Sequence, residues 1–212
     1  MYLPRHFEET RVEELHCLID EYPLGAWVVN GPAGLDANHL PFHLETKPGE
    51  PARLLAHVAR ANPVWKEVRQ GDETLVVFRA EDAYVSPNWY PSKHEQHRQV
   101  PTWNYRVVHA HGRVTVRDDE RFVRGLVARL TRTHEGRTGS AKPWRMTDSA
   151  PDYIDQMLAA IVGIEIEVTK LVGKWKLSQN REARDRINAA EELRKRDEEA
   201  VATAIITTLT PN

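Results

Sequence analysis

Residues 102–116 read TWNYRVVHAHGRVTV. β-branched and aromatic residues dominate this run, polar residues interrupt them, and no helical repeat fits, so a long strand is expected. Apolar parity shifts across Gly112, which predicts a bulge or bend there. Runs of the same kind lie on both sides. Upstream are Gly25–Asn30 (GAWVVN), Leu35–Leu44 (LDANHLPFHL), Ala52–Val58 (ARLLAHV), Thr74–Phe78 (TLVVF) and Ala83–Ser86. Downstream, Ile164, Ile166 and Val168 alternate with Glu165, Glu167 and Thr169, in a strand expected to continue past a bulge to Trp175. Gly31-Pro32 and Pro48-Gly49 punctuate the upstream runs as turns.

Helical signals sit between and after the strands. Thr10 to Glu13 has the form of a capping box ahead of Val12, Leu15, Leu18 and Ile19, and Pro23 ends that run. Asn62-Pro63 opens a short helix to about Arg69. Asp118 or Asp119 can cap a helix carrying Phe122, Val123, Leu126, Val127 and Leu130. Residues 137–149 read as a loop, Tyr153–Ile161 as a short helix, and the chain from Asn180 as one charged helix. About six or seven antiparallel strands without βαβ alternation predict a mainly β, α+β fold. The expected form is a closed or nearly closed β-barrel with peripheral helices and a C-terminal helix. The domain reading is 1–180 for the barrel and 181–212 for a helical extension packed on it.

Composition bounds function. The chain has 212 residues, 41% hydrophobic, and a formal charge of −2. That is enough for one buried core, with no global field to gather nucleic acid or an acidic membrane. Cys17 is the only cysteine, which excludes an internal disulfide or multi-Cys zinc site and fits a reducing cytoplasm. The N-terminus is charged from residue 5 and has no apolar core, so no signal peptide is expected. No run of apolar residues is long enough to span a membrane. Dinucleotide, P-loop and nucleophile-elbow motifs are absent. His94/His97 and His109/His111 lack a third ligand at a recognisable spacing, and no metal is expected.

Three segments can carry chemistry. The first, Leu54–Pro63 (LLAHVARANP), ends a strand at His57 and brings Arg60 to a helix start at Asn62, a possible phosphate site. His57 reads equally as a core histidine and Arg60 as a surface residue. The second, residues 89–105 (WYPSKHEQHRQVPTWNY), sets Trp89, Tyr90, Trp103 and Asn104 around Lys93. That set suits a flat heteroaromatic ligand with an anionic tail, or equally an aromatic cluster sealing a barrel end. The third, GKWKLSQNR from Gly173, is a second possible anion site or a subunit contact.

Together, MYLPRHFEE, NHLPF at 38–42, HVARANP at 57–63, AYVSPNWYPSK at 83–93, VPTWNY at 100–105, VHAHG at 108–112 and GKWKLSQNR at 173–181 resemble the PaiB family of FMN-binding negative transcriptional regulators. The resemblance implies a flavin-reductase-like split barrel, a homodimer with FMN at the subunit interface. It puts the FMN phosphate at His57 and Arg60 near Asn62, and the ring near Trp89, Tyr90 and Trp103. His39, Lys93, Thr102 and Asn104 are further candidate contacts, with Lys176, Gln179 and Arg181 contributed by KLSQNR. No catalytic residue is expected. An FMN-dependent oxidoreductase is the alternative function. No helix-turn-helix is readable, so direct nucleic-acid binding is not expected.

Overall fold

A computed structural model describes residues 1–209; the last three residues of the 181–212 extension lie outside the described residues. In chain order the elements are β1 (Glu8–Glu9), α1 (Val12–Glu21), β2 (Leu24–Gly31), β3 (Gly34–Pro41), β4 (His43–Glu45), β5 (Arg53–Ala59), α2 (Val64–Glu67) and β6 (Glu73–Val85). They continue with α3 (Pro91–Gln96), β7 (Thr102–Arg117), α4 (Glu120–Gly136), α5 (Pro151–Ala159), β8 (Ile161–Lys176), α6 (Ala183–Arg194) and α7 (Glu199–Thr207). The strands form one eight-stranded sheet in the order β3-β2-β6-β7-β8-β5-β4, with β1 on β8. The paired registers are antiparallel. The order is a linear path rather than a closed ring, as a split barrel requires.

The chain divides into two compact units, and β6, β7 and β8 contribute a segment to each. The first comprises Met1–Leu18, Arg79–Val108 and the chain from Val172. The second comprises Ile19–Phe78 and His109–Leu171.

In the second unit, β2 pairs with β3 from Leu24↔Pro41 to Gly31↔Gly34, and with β6 at Ala26↔Val77. On the other flank β5 pairs with β8 from Arg53↔Glu167 to Ala59↔Ile161. Trp27 is fully buried, and its indole N–H donates to Thr74 Oγ1 at 2.7 Å. The Thr74 hydroxyl passes the bond to Val28 O at 2.7 Å, so no polar atom of that pair is orphaned. On the inner side of α4, Leu126 and Leu130 pack with Leu55, and Phe122 lies against the cluster.

Helix α4 starts where its cap predicts, with the Asp119 carboxylate accepting from Phe122 N at 2.8 Å. Gly112 lies within β7 and has no positive φ. A Cβ there would stand 2.6 Å from Ile166 Cγ2, so close packing demands the glycine. The single strand expected over Leu35–Leu44 breaks at Phe42, which is buried and donates its N–H to Pro23 O at 2.8 Å.

In the first unit, β1 pairs with β8 at Glu8↔Lys174 and Glu9↔Gly173. Leu177, Ala190, Leu193, Ala202 and Ile205 are buried among its core residues. The continuous C-terminal helix expected from Asn180 is instead α6 and α7. Asp197, with φ of 62°, divides them, since Asp enters the left-handed region at modest cost. The polar excursion after Trp89 contains a helix, α3, with Pro91 in its first turn and His97 closing it at φ of 53°. Ser92 anchors α3: its N–H and hydroxyl donate to the two carboxylate oxygens of buried Asp185, at 3.0 and 2.5 Å. The runs at 74–78 and 83–86, read as two strands, are one, β6.

Candidate functional site

The start of β7 and the end of β8 supply the most concentrated chemistry of the first unit. Residues alternate across a strand. On β8, Lys174 and Lys176 therefore share a face while Trp175 points the other way into the core. Both ammonium groups stand over the ring of Tyr105, 5.6 Å and 5.9 Å from its centroid. Lys176 Nζ donates to Thr102 Oγ1 and to Trp103 O, the latter at 2.8 Å. Lys174 Nζ donates to Tyr2 O at 3.1 Å.

The turn that follows β8 is built by its own side chains. Ser178 adopts φ of 63°. Gln179 Oε1 accepts from Leu177 N at 2.8 Å, and its Nε2 donates to Trp175 O at 2.6 Å. The Ser178 hydroxyl bonds to Asn104 and lies 3.3 Å from Tyr90 Oη. Arg181 then folds back over Tyr90, its guanidinium 5.6 Å from the ring centroid.

Among the described residues no carboxylate pairs with Lys174, Lys176 or Arg181. Burial pushes the Lys176 ammonium below the ordinary lysine range, and the charges of Lys174 and Arg181 push it further. Three cations with no counter-charge, one of them partly desolvated, suit an anion with several acceptor oxygens.

The aromatic residues of the first unit divide by burial. Trp103 and Tyr84 are 53% and 47% exposed and meet edge to face, with centroids 6.0 Å apart. Tyr90 is fully enclosed. Trp89 is half-buried beneath Arg196, 4.6 Å from its guanidinium, and its carbonyl accepts from Asn188 Nδ2 at 2.6 Å. Lys93 Nζ donates to Asn88 Oδ1 at 2.7 Å. Thr102, Trp103, Asn104, Lys176, Gln179 and Arg181 are thus linked around one turn, with Tyr90 beneath it, while Trp89 and Lys93 have other partners.

The remaining candidates belong to the second unit. His39 is exposed on β3. Asn62 donates through Nδ2 to Asn38 Oδ1 at 2.7 Å and caps α2 by accepting from Val64 N at 3.0 Å. Arg60 grips Asp118 through Nη1 at 3.0 Å and Nη2 at 2.6 Å, and donates to the carbonyls of Ala159 and Ile161 at 2.7 and 3.2 Å. These bonds hold the Asp118 carboxyl below its usual range. All four are made by the guanidinium group, one from Nε and three from the terminal nitrogens, which leaves that fork little capacity for a second anion. His57 Nδ1 is buried without a hydrogen-bond partner, and burial pushes its imidazole down.

Sequence reasoning missed Tyr84, the hub role of Ser178, and the Ser92–Asp185 pair. Tyr84 was legible, because it alternates with buried Ala83 and Val85 on β6 and so faces outward. Ser92 and Asp185 are 93 residues apart and carry no local signal.

The sheet and its peripheral helices place the chain in the class of flavin-binding split barrels. It is similar in fold to the FAD and heme binding protein from Mycobacterium smegmatis, with a TM-score of 0.56 and 19% identity, covering 86% of this chain and 79% of that one. It is also similar to the flavocytochrome Anf3 from Azotobacter vinelandii, with a TM-score of 0.53 and 15% identity, covering 82% and 72%. Residues 1–170 match the family described as "Putative FMN-binding domain", and the chain belongs to that family. Protease synthase and sporulation protein PAI 2 from Bacillus subtilis (strain 168) is 29% identical over 197 residues, 93% of this chain and 91% of that one. A protein of Aspergillus fumigatus is 30% identical over 239 residues, covering 92% and 91%.

This is an FMN-binding protein of the PaiB type, and FMN is its cofactor. The residues present fit that group: an unpaired cation cluster for a phosphate, and an exposed indole beside it for a planar ring. When bound, FMN supplies redox capacity through its ring. Among the described residues no helix is long and apolar enough to cross a membrane.

Proposed function

We propose that Lys174, Lys176 and Arg181 hold the FMN phosphate and that Trp103, with Tyr84 at its edge, lies against the flavin ring. The observation that carries this reading is the absence, among the described residues, of any carboxylate paired with the three cations. A phosphate dianion there offsets both the burial and the repulsion by Lys174 and Arg181 that depress Lys176. Thr102 and Asn104 position the lysine and the turn rather than the ring, through their bonds to Lys176 and Ser178.

The protein acts in the cytoplasm as a homodimer, and its flavin site serves negative transcriptional regulation. The Bacillus subtilis relative is named for protease synthesis and sporulation, cellular programmes rather than a substrate, which favours regulation over metabolism. With a formal charge of −2, the chain has no basic field for DNA, so regulation runs through a partner or metabolite. The half exposure of Trp103 and Tyr84 favours a second reading, an FMN-dependent oxidoreductase with open space for a reactant.

Titration of the purified protein with FMN, followed by flavin absorbance and by NAD(P)H oxidation, tests the set. Saturable one-to-one binding without NAD(P)H turnover supports the regulatory reading. Turnover supports the oxidoreductase, and absence of binding ends both.

A further inference from the structure

The second unit holds a cavity that the flavin assignment does not use. It lies between the C-terminal half of α4 and the segment at 143–147, and has a volume of about 600 Å³. That is within the range of small-molecule sites, roughly 300–1,000 Å³. Ala128, Pro143, Trp144 and Met146 make its surface mainly apolar, and Arg132 and Arg145 also line it. A smaller lobe of about 280 Å³ shares Thr131, Glu135 and Trp144 with it and reaches His57.

The cavity is built rather than incidental. Glu135 Oε2 accepts from Trp144 N at 2.9 Å, and Glu135 O accepts from Thr138 Oγ1 at 2.8 Å. The first bond ties the segment to the helix and the second closes the end of the helix. Among the described residues neither Arg132 nor Arg145 is paired with a carboxylate. Glu135 is in the same lining, so a bound anion must sit on the arginine side. His57 also lines the lobe.

We propose that this cavity is a binding site for a planar aromatic anion of one or two rings. The ring packs on Trp144 among the apolar side chains. The anionic group meets Arg132 and Arg145. Such a ligand would act as an effector, and the proposal does not depend on where FMN lies.

The test uses the full-length FMN-loaded protein with naphthalene-2-carboxylate as probe and naphthalene-2-carboxamide as its uncharged control, by calorimetry and tryptophan fluorescence. The expected result is one-to-one binding of the carboxylate, about tenfold or more tighter than the amide. R132Q and R145Q should each remove most of that preference while the flavin stays bound. Trp144→Phe should leave binding within a few fold but abolish the fluorescence change, which guards against an arginine variant that merely misfolds. Equal binding of acid and amide, no binding at millimolar probe, or one-for-one displacement of the probe by added FMN in the flavin-free protein would each overturn the proposal.

Discussion

Asn104 and Ser178 exchange hydrogen bonds inside the first unit: the amide Nδ2 donates to the serine Oγ at 3.0 Å, and the hydroxyl donates back to Oδ1 at 3.2 Å. Asn104 is fully buried and Ser178 nearly so. The pair therefore fastens the start of β7 to the turn that carries Lys176, Gln179 and Arg181, at a serine held in the left-handed region.

Removing either side chain leaves a buried polar group without a partner. Asn104→Ala should cost about 1–3 kcal/mol in urea unfolding, and should weaken FMN more than riboflavin, since the turn it fastens carries cations proposed to hold the phosphate. At position 178, glycine should be tolerated better than alanine by about 1 kcal/mol, because only the former accepts φ of 63° without strain. A more stable alanine variant would show that the backbone there is not constrained.

Trp103 is the exposed indole of the site. Trp103→Ala should reduce affinity for FMN and riboflavin alike by roughly threefold to tenfold, the scale of one aromatic pair, and Trp103→Phe should restore most of it. Flavin fluorescence titration reads both. Unchanged affinity in the alanine variant would remove Trp103 from the site.

Burial holds the imidazoles of His43 and His57 below the ordinary histidine range. Their folded values lie under the unfolded value of about 6.5, so their contribution to stability is complete above that pH. It is lost as pH falls through the folded values. Urea midpoints should therefore decline on acidification below about pH 6.5, and His57→Gln should flatten that decline. A midpoint that rises on acidification would contradict the assignment.

Much of the fold was legible because its signals are local. The apolar spacing from Val12 to Ile19, the Asp119 cap and the alternation in β8 each depend on neighbours in sequence. The errors fall where a distant partner decides. Phe42 breaks its strand because a core pocket and Pro23 O take it. α3 exists because Asp185 anchors Ser92. The KLSQNR turn could be read as a possible anion site from composition; what the structure adds is that, among the described residues, none of its cations is in an ion pair with a carboxylate. For Arg60 the sequence showed a free fork at a helix start, whereas the bonds to Asp118, Ala159 and Ile161 depend on long-range folding.

The most direct measurement compares dissociation constants for FMN and riboflavin in the wild-type protein, Lys176→Met and Arg60→Ala, since the two ligands differ only in the phosphate. Loss of one charge-assisted contact predicts that Lys176→Met weakens FMN by about tenfold or more and riboflavin by about twofold or less. Arg60→Ala should leave the FMN preference unchanged. Equal losses of both ligands in Lys176→Met, or collapse of the FMN preference in Arg60→Ala, would contradict the placement of the phosphate at Lys174, Lys176 and Arg181.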